Sequence, residues 1–329
     1  MKDNEPENMP NFNDSNAASA HKSNNDTNFW ERDTIHQLLF STVKEQRSKR
    51  RWGIFFKTIG FGYIIAMTIF ALLGDSKITK DSKNEHTAII AIEGEISKEH
   101  SANADDINKG LKNAFSHKQT KGIVLKINSP GGSPVQARQI YNNIIRLRSQ
   151  YPKIKIYAAI EDLGTSAAYL IASATDQIYS DETSLVGSIG VIINSFGFVD
   201  ALSKLGVERR IYTAGKNKAM LDPFSPKNPE HEAFIKQQLD LTHQIFIKNV
   251  VDKRPQIANS PNKDELFSGK FWVGQSALEL GLIDGFGDVQ HIATNLIKAS
   301  EIRDFTIQPS LADRLSSKFK VILKNMIFF

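Results

Sequence analysis

The 329-residue sequence contains no cysteine. That absence excludes a disulfide framework, a thiolate nucleophile and any metal site built on thiolates, and it suits an oxidising compartment. Histidine is sparse: eight residues are scattered at positions 21, 36, 86, 100, 117, 231, 243 and 291. None stands in a short loop beside a strand end, and no HExxH or other metal-ligand spacing occurs, so neither metal nor cofactor is expected. His231 and His243 lie twelve positions apart on one long amphipathic stretch and read as marking a solvated face. No internal repeat is evident.

Long apolar runs are scarce as well. One stands out, GFGYIIAMTIFALLG at 60–74, and back through Thr58 it makes 17 uncharged residues. That is the short end of what crosses a bilayer as a helix. About fifty residues precede it and no A-x-A site follows, which disfavours a cleaved signal peptide. Lys44, Arg47, Lys49, Arg50 and Arg51 lie just before it, with Trp52, Phe55 and Phe56 between. Positive charge on that side predicts a cytoplasmic N-terminus and an extracytoplasmic chain from about Asp75 onward. The net charge of +5 is therefore local to a membrane surface, and no nucleic-acid partner is expected.

This gives a provisional layout. Residues 1–28, rich in Asn, Asp, Ser and Lys, are too polar to fold and form a cytoplasmic tail. Residues 29–57 form a helical, basic stem, with Phe29, Ile35, Leu38, Leu39 and Val43 on one face. A signal anchor at 58–74 and a polar linker at 75–86 lead into a catalytic-size domain at 87–310. Residues 311–329 are amphipathic, basic and end in aromatics. They fit either a neighbouring subunit or the membrane surface.

Within the domain, strands and helices alternate. TAIIAIEG, GIVLKINS and IKIYAAI read as strands, interleaved with the helices ADDINKGLKNAF and PVQARQIYNNIIRLRSQ. SLVGSIGVII and VERRIYTAG read as further strands, and PEHEAFIKQQLDLTHQIFIKNVVDKR as a long helix. The alternation predicts an α/β domain with crossover connections.

Two segments carry chemistry. INSPGGS at 127–133 closes a buried strand, and Pro130 before Gly131 and Gly132 favours a tight turn with positive φ. At a strand end and a helix start, its free N–H groups suit an oxyanion. Ser166 opens a helix among small residues in EDLGTSAAYLIAS, where the Ala167 N–H would be a second donor. On its own such a serine is usually an N-cap. A nucleophilic serine needs a base, and the histidine pattern points away from a triad toward a lysine. Such a lysine must be neutral, so burial must bring its pKa down from about 10.4. TAGKNKAMLDPFSP at 213–226 offers Lys216 and Lys218, with Met220, Leu221 and Phe224 available to desolvate one of them.

Taken together and in this order, INSPGGS, DLGTSAAYLIASATDQIYSD with SLVGSIGV, GKNKAMLDPF and FSGKFWVGQSALELGLIDGFGDV resemble the signal peptide peptidase A (SppA) family. These are membrane-anchored serine peptidases of the ClpP/crotonase type of fold, built from repeated ββα/βαβ units. The likeness covers roughly Ala88 to Val289. It implies Ser166 as nucleophile, Lys218 rather than Lys216 as general base, and Gly132 and Ala167 as oxyanion donors, with Gly131 permitting the turn. It also implies Ser188 as a group orienting Lys218. The family usually carries two glycines after its serine, whereas this chain has Ala167 and Ala168. Extended apolar peptides are the implied substrates, such as signal-peptide remnants or damaged membrane proteins, taken in strand fashion along SLVGSIGVII. A single-domain chain implies a homo-oligomer whose site is shared between neighbouring subunits. The competing reading is a non-catalytic membrane scaffold that binds peptides on the same fold. An acyl-CoA enzyme, admissible by fold analogy alone, conflicts with an extracytoplasmic domain.

Overall fold

A computed structural model of the protein describes residues 50–69 and 84–307. The expected tail, most of the stem, most of the linker and the C-terminal amphipathic segment lie outside the described residues. Two units are distinguished, 1–77 and 78–329. In the first, Arg50–Ile69 forms one helix, α1. The end of the expected stem and the start of the expected anchor are thus continuous. At 1.5 Å per residue α1 is about 30 Å long, the thickness of a bilayer's hydrocarbon core. Arg50 and Arg51 open it and Lys57 is its remaining charge. Trp52 sits at the same end, beside Phe55 and Phe56, and its amphipathic indole favours a headgroup boundary.

The second unit is an eight-stranded sheet with helices on its faces. Its strands are β1 (His86–Glu93), β2 (Thr120–Ser129), β3 (Lys155–Thr165), β4 (Gln177–Ser180), β5 (Leu185–Gly187), β6 (Phe271–Val273), β7 (Gly285–Phe286) and β8 (Ile302–Asp304). The order β6-β5-β3-β2-β1-β8 forms the main path, with β4 joining β3 to β7. Every ladder is parallel except β5–β6. Parallel strands are covered on both faces, which is why β2 reads as a nearly unbroken apolar run. Alternate residues then face opposite cores. Ile123, Leu125 and Ile127 enter the larger core beneath the helices, while Val124 enters a smaller one with Ala159, Tyr179 and Ile292.

Three helices cover the larger core: α2 (Ala104–Ser116), α3 (Pro134–Gln150) and α4 (Ala167–Ser173). α2 starts where the Asn103 side chain accepts from the Asp106 N–H at 2.9 Å. α3 starts at Ser133, with Pro134 in its first turn. After the short α5 (Val199–Lys204), the long α6 (Pro229–Val251) reaches this core only near its end, through Phe246 and Val250.

β3 departs from the sequence expectation. Its strand was expected to end at Ile160, with EDLG as a connector, yet it runs on to Thr165. Between the pairs Ile127↔Ile160 and Ser129↔Gly164 it advances four residues while β2 advances two. This bulge bends the strand. Tyr157–Ile160 pairs with β4, and Leu163–Thr165 pairs with β5. The fork carries the end of β3 to the place where α4 begins.

Of two other expected strands, one is shortened and one is absent among the described residues. Only Leu185–Gly187 of SLVGSIGVII is a strand, and 207–215 has no regular structure. Both segments have strand-like composition, but beyond Gly187 the first has no strand partner among the described residues, and the second has none.

Candidate active site

The turn after β2 is fixed by close packing. Gly131 and Gly132 have φ of 104° and 145°, values that strain any residue with a Cβ. A Cβ on Gly131 would lie 2.8 Å from Ser166 Cβ and 2.9 Å from the Ala167 nitrogen. One on Gly132 would collide with the Ile96 backbone. Ile96 clamps the turn: its N–H donates to the Gly131 carbonyl and its carbonyl accepts from the Ser133 N–H, both at 2.8 Å. Neither bond uses the Gly132 N–H.

Against this turn stands Ser166, where β3 passes into α4. Its backbone has φ 54° and ψ −123°, a region that costs a non-glycine residue about 1–3 kcal/mol. Two bonds enforce it: the Ser166 N–H donates to the Gly187 carbonyl at 2.7 Å, and the Ser166 carbonyl accepts from the Leu170 N–H at 3.1 Å. The hydroxyl does not cap the helix, so the ordinary N-cap role does not account for this serine. As the first helical residue, Ala167 has an N–H without an intrahelical acceptor. The strand–turn–helix elbow thus brings Ser166, Ala167 and Gly132 to one cavity.

These residues border a cavity of about 270 Å³ whose lining also includes Leu170, Ile192, Ile245 and Phe246. Ala167 lines it, whereas Ala168 is fully buried in the core and does not. Of the two methyls that depart from the family's glycines, only that of Ala167 narrows the cleft. Gly190, Val191 and Ile192 form one side of the cavity, in the irregular segment after β5.

The lysine loop lies apart from this cavity. Lys216 pairs with Glu230 at 3.4 Å, and the Asn217 side chain meets His231 Nε2 at 3.2 Å. Further on, Asp222 pairs with Arg209 at 3.6 Å and accepts from the Ser225 hydroxyl at 2.7 Å. Phe224 stacks on Phe198 at 5.4 Å, and the Arg209 guanidinium lies over the Phe224 ring at 5.6 Å. Lys218 stands between these anchors, exposed, with no side-chain hydrogen bond or ion pair among the described residues. Met220, Leu221 and Phe224 were expected to desolvate a lysine, and within one chain they do not bury Lys218. Nor does Lys218 line the Ser166 cavity. Ser188 has φ 51° and donates its hydroxyl to the Gly269 carbonyl at 3.3 Å rather than to Lys218.

Two histidine readings need correction. His243 is half-buried, and its Nε2 meets the Ile189 carbonyl at 3.0 Å, tying α6 to the cavity segment. His231 serves the lysine loop. The spacing His243, Phe246, Val250 is a helix-period buried stripe and carried that signal. Missed by sequence reasoning were Arg138, Thr242 and Asn249, which also line the cavity. The motif FWVGQSALELGLIDGFGDV supports the fold. Asp284 receives the buried Arg254 guanidinium at 2.7 Å and the Ile178 N–H at 2.7 Å. The buried Tyr169 hydroxyl donates to the Leu282 carbonyl at 2.8 Å, securing α4 from below.

The forked, mostly parallel sheet with helices on its faces fits a ClpP-like α/β fold. Accordingly, residues 75–183 match the Clp protease family and residues 148–303 match Peptidase family S49. The chain is 31% identical over 197 residues to a protein of Enterococcus faecium provisionally named signal peptide peptidase SppA, covering 60% of this chain and 56% of that one. It is 25% identical over 242 residues to Protease 4 of Haemophilus influenzae, covering 70% of this chain and 38% of that one. A Na(+)/H(+) antiporter NhaA of Brucella melitensis shares 47% identity over 181 residues, 54% of this chain and 24% of the antiporter. The chain spans between about a quarter and about half of the length of these relatives. The family-model matches and these relatives support a place among the SppA/S49 peptidases.

Proposed function

We propose that the protein is a membrane-anchored serine endopeptidase that uses Ser166 and Lys218 as a dyad. The observation that carries this reading is Ser166 itself: strained at φ 54°, uncapped, and pressed against Gly131 at the mouth of a cavity. In this scheme neutral Lys218 Nζ takes the proton from the Ser166 hydroxyl as Oγ attacks the scissile carbonyl carbon. The Gly132 and Ala167 N–H groups hold the oxyanion. Collapse breaks the C–N bond, and the Lys218 ammonium returns its proton to the leaving amine. Water, deprotonated by the same lysine, then releases the acyl group from Ser166.

The lysine assignment rests on the loop. Lys216 is engaged by Glu230, while Lys218 has no partner among the described residues. Lys218 is exposed within one chain, and the scheme requires a second surface to desolvate it. A neighbouring copy of the chain supplies that surface in this reading. Substrates are extended apolar peptides, since the cavity lining is mainly apolar and the irregular segment 190–193 beside it suits pairing with a strand. α1 has the length and composition of an anchor, and the charge before it supports a peptidase unit outside the cytoplasm in this reading.

The test is hydrolysis of fluorogenic apolar peptides by the full chain in detergent micelles. Ser166→Ala and Lys218→Ala are expected to lose roughly 10³-fold or more in kcat, while Lys216→Ala stays within a few-fold. An active Lys218→Ala protein would remove the lysine from the scheme. An assembled wild type that binds peptides and cleaves none would leave the scaffold reading.

A further inference from the structure

Two polar residues on the cavity wall have no task in the catalytic scheme. Arg138 lies on α3 one turn after Pro134, and both line the cavity. Its side chain is exposed and makes no hydrogen bond or ion pair among the described residues. Other arginines of this unit are used differently: Arg148, Arg209 and Arg254 pair with Asp176, Asp222 and Asp284. Asn249, on α6, lines the same cavity, and its Nδ2 is buried without a hydrogen-bond partner among the described residues. The Tyr141 hydroxyl, one turn beyond Arg138, donates to the Asn249 carbonyl at 2.8 Å. That bond stitches α3 to α6 and keeps Arg138 and Asn249 on one wall.

The remaining lining sharpens the contrast. Thr242 spends its hydroxyl on the Gln238 carbonyl at 2.9 Å. The other lining residues are apolar or glycine apart from Ser166, and no Asp or Glu is among them. A buried amide donor left unpaired costs about 1–3 kcal/mol, a deficit that an acceptor oxygen removes. A guanidinium with no counter-charge offers a planar fork that matches a carboxylate.

We propose that Arg138 and Asn249 form a carboxylate-recognising subsite, so that the preferred peptide carries a carboxylate beside the apolar residue that fills the cavity. The cation also works against peptides with Lys or Arg at that position, because like charges repel across the rim. The carboxylate belongs either to an Asp or Glu side chain or to the peptide's own C-terminus. The proposal rests on the peptidase reading for the identity of the ligand as a peptide, and binding can be measured without turnover.

The experiment uses the full chain in detergent micelles with Ser166→Ala to stop cleavage. Fluorescein-labelled apolar peptides carrying Glu, Gln or Lys beside the apolar residue, each with a free or an amidated C-terminus, are titrated by anisotropy. The Glu peptide, or the free-acid form, is expected to bind about fivefold tighter than its neutral partner, and the Lys peptide most weakly. A Glu–Gln difference that survives amidation identifies the side chain as the source; a difference that follows amidation identifies the terminus. Adding Arg138→Glu should reverse the order, and Arg138→Lys should keep part of it. Equal binding of all peptides, or an order unchanged by Arg138→Glu, overturns the proposal. So does an Arg138→Glu protein whose particle mass changes while peptide order does not, since Arg138 would then face a second copy. Wild-type cleavage of the same peptides is scored separately. Ordered binding without cleavage leaves the subsite standing and sinks the peptidase reading.

Discussion

Among the described residues, four without the freedom of glycine hold positive φ: Ser166, Ser188, Leu221 and Lys298. At Ser166 the neighbours hold the backbone, the amide by Gly187 and the Cβ by close approach of Gly131. If the strain is kept for function, removing the side chain should return it as stability. Ser166→Gly is expected to unfold in urea with a free energy about 1 kcal/mol above that of Ser166→Ala, since only glycine adopts φ 54° without penalty. Both variants should be inactive, so the comparison separates stored strain from lost chemistry. Equal stability of the two would show that the conformation costs nothing. Part of this was legible in the sequence: Pro-Gly-Gly requires a close approach, and small residues around a serine invite one. That the hydroxyl leaves its helix uncapped was not legible, because capping depends on a backbone angle set by β5, a different strand.

Elements buried on both faces were the readable ones. β1, β2 and the first half of β3 are apolar runs with a period of two that match the two cores. α3 was delimited by Ser133 and Pro134 at its start. The extension of β3 past Ile160 was hidden because Glu161 and Asp162 look like connector residues, and only the pairing with β5 makes them strand. His86 shows how elements meet at the other edge of the sheet. Fully buried at the start of β1, it lies between β2 and the segment after β8. Its Nδ1–H donates to the Asn84 carbonyl and its Nε2 accepts from the Thr120 hydroxyl, each at 3.3 Å. That arrangement satisfies a neutral ring. Burial lowers its pKa below the usual 6.5, with His117 and Arg303 adding to the effect against the Asn84 bond and Glu301. The folded state therefore binds fewer protons than the unfolded one. Its contribution to stability is fully present above pH 6.5 and is lost as pH falls from there toward the folded-state value. Denaturant titrations of the full chain between about pH 7.5 and 5.5 should show stability declining on acidification. His86→Gln should flatten that slope, and a slope that persists in the variant would assign it to other groups.

At the scale of the molecule, the candidate site is in two pieces. Ser166 stands at its cavity, and Lys218 sits in an anchored loop that does not reach it. Around that loop, large apolar side chains face outward: Ile192 is 75% exposed, Phe196 76%, Leu205 76% and Tyr212 92%. Monomeric soluble domains rarely leave such a surface uncovered, and its irregular segments 188–198 and 207–215 carry strand-like sequences without strand partners. A second copy of the chain would cover the apolar groups, complete the pairing and desolvate Lys218 at once. If each site draws Ser166 from one copy and Lys218 from the next, two inactive proteins should restore one another. Ser166→Ala and Lys218→Ala chains, mixed in equal amounts, dissociated and reassembled, give a functional pair at about a quarter of the interfaces in a closed assembly. Peptide hydrolysis should recover to about that fraction of the wild-type rate, and the recovery should depend on protein concentration. A site contained in one chain predicts no recovery at any ratio, because every chain then lacks one of the two groups.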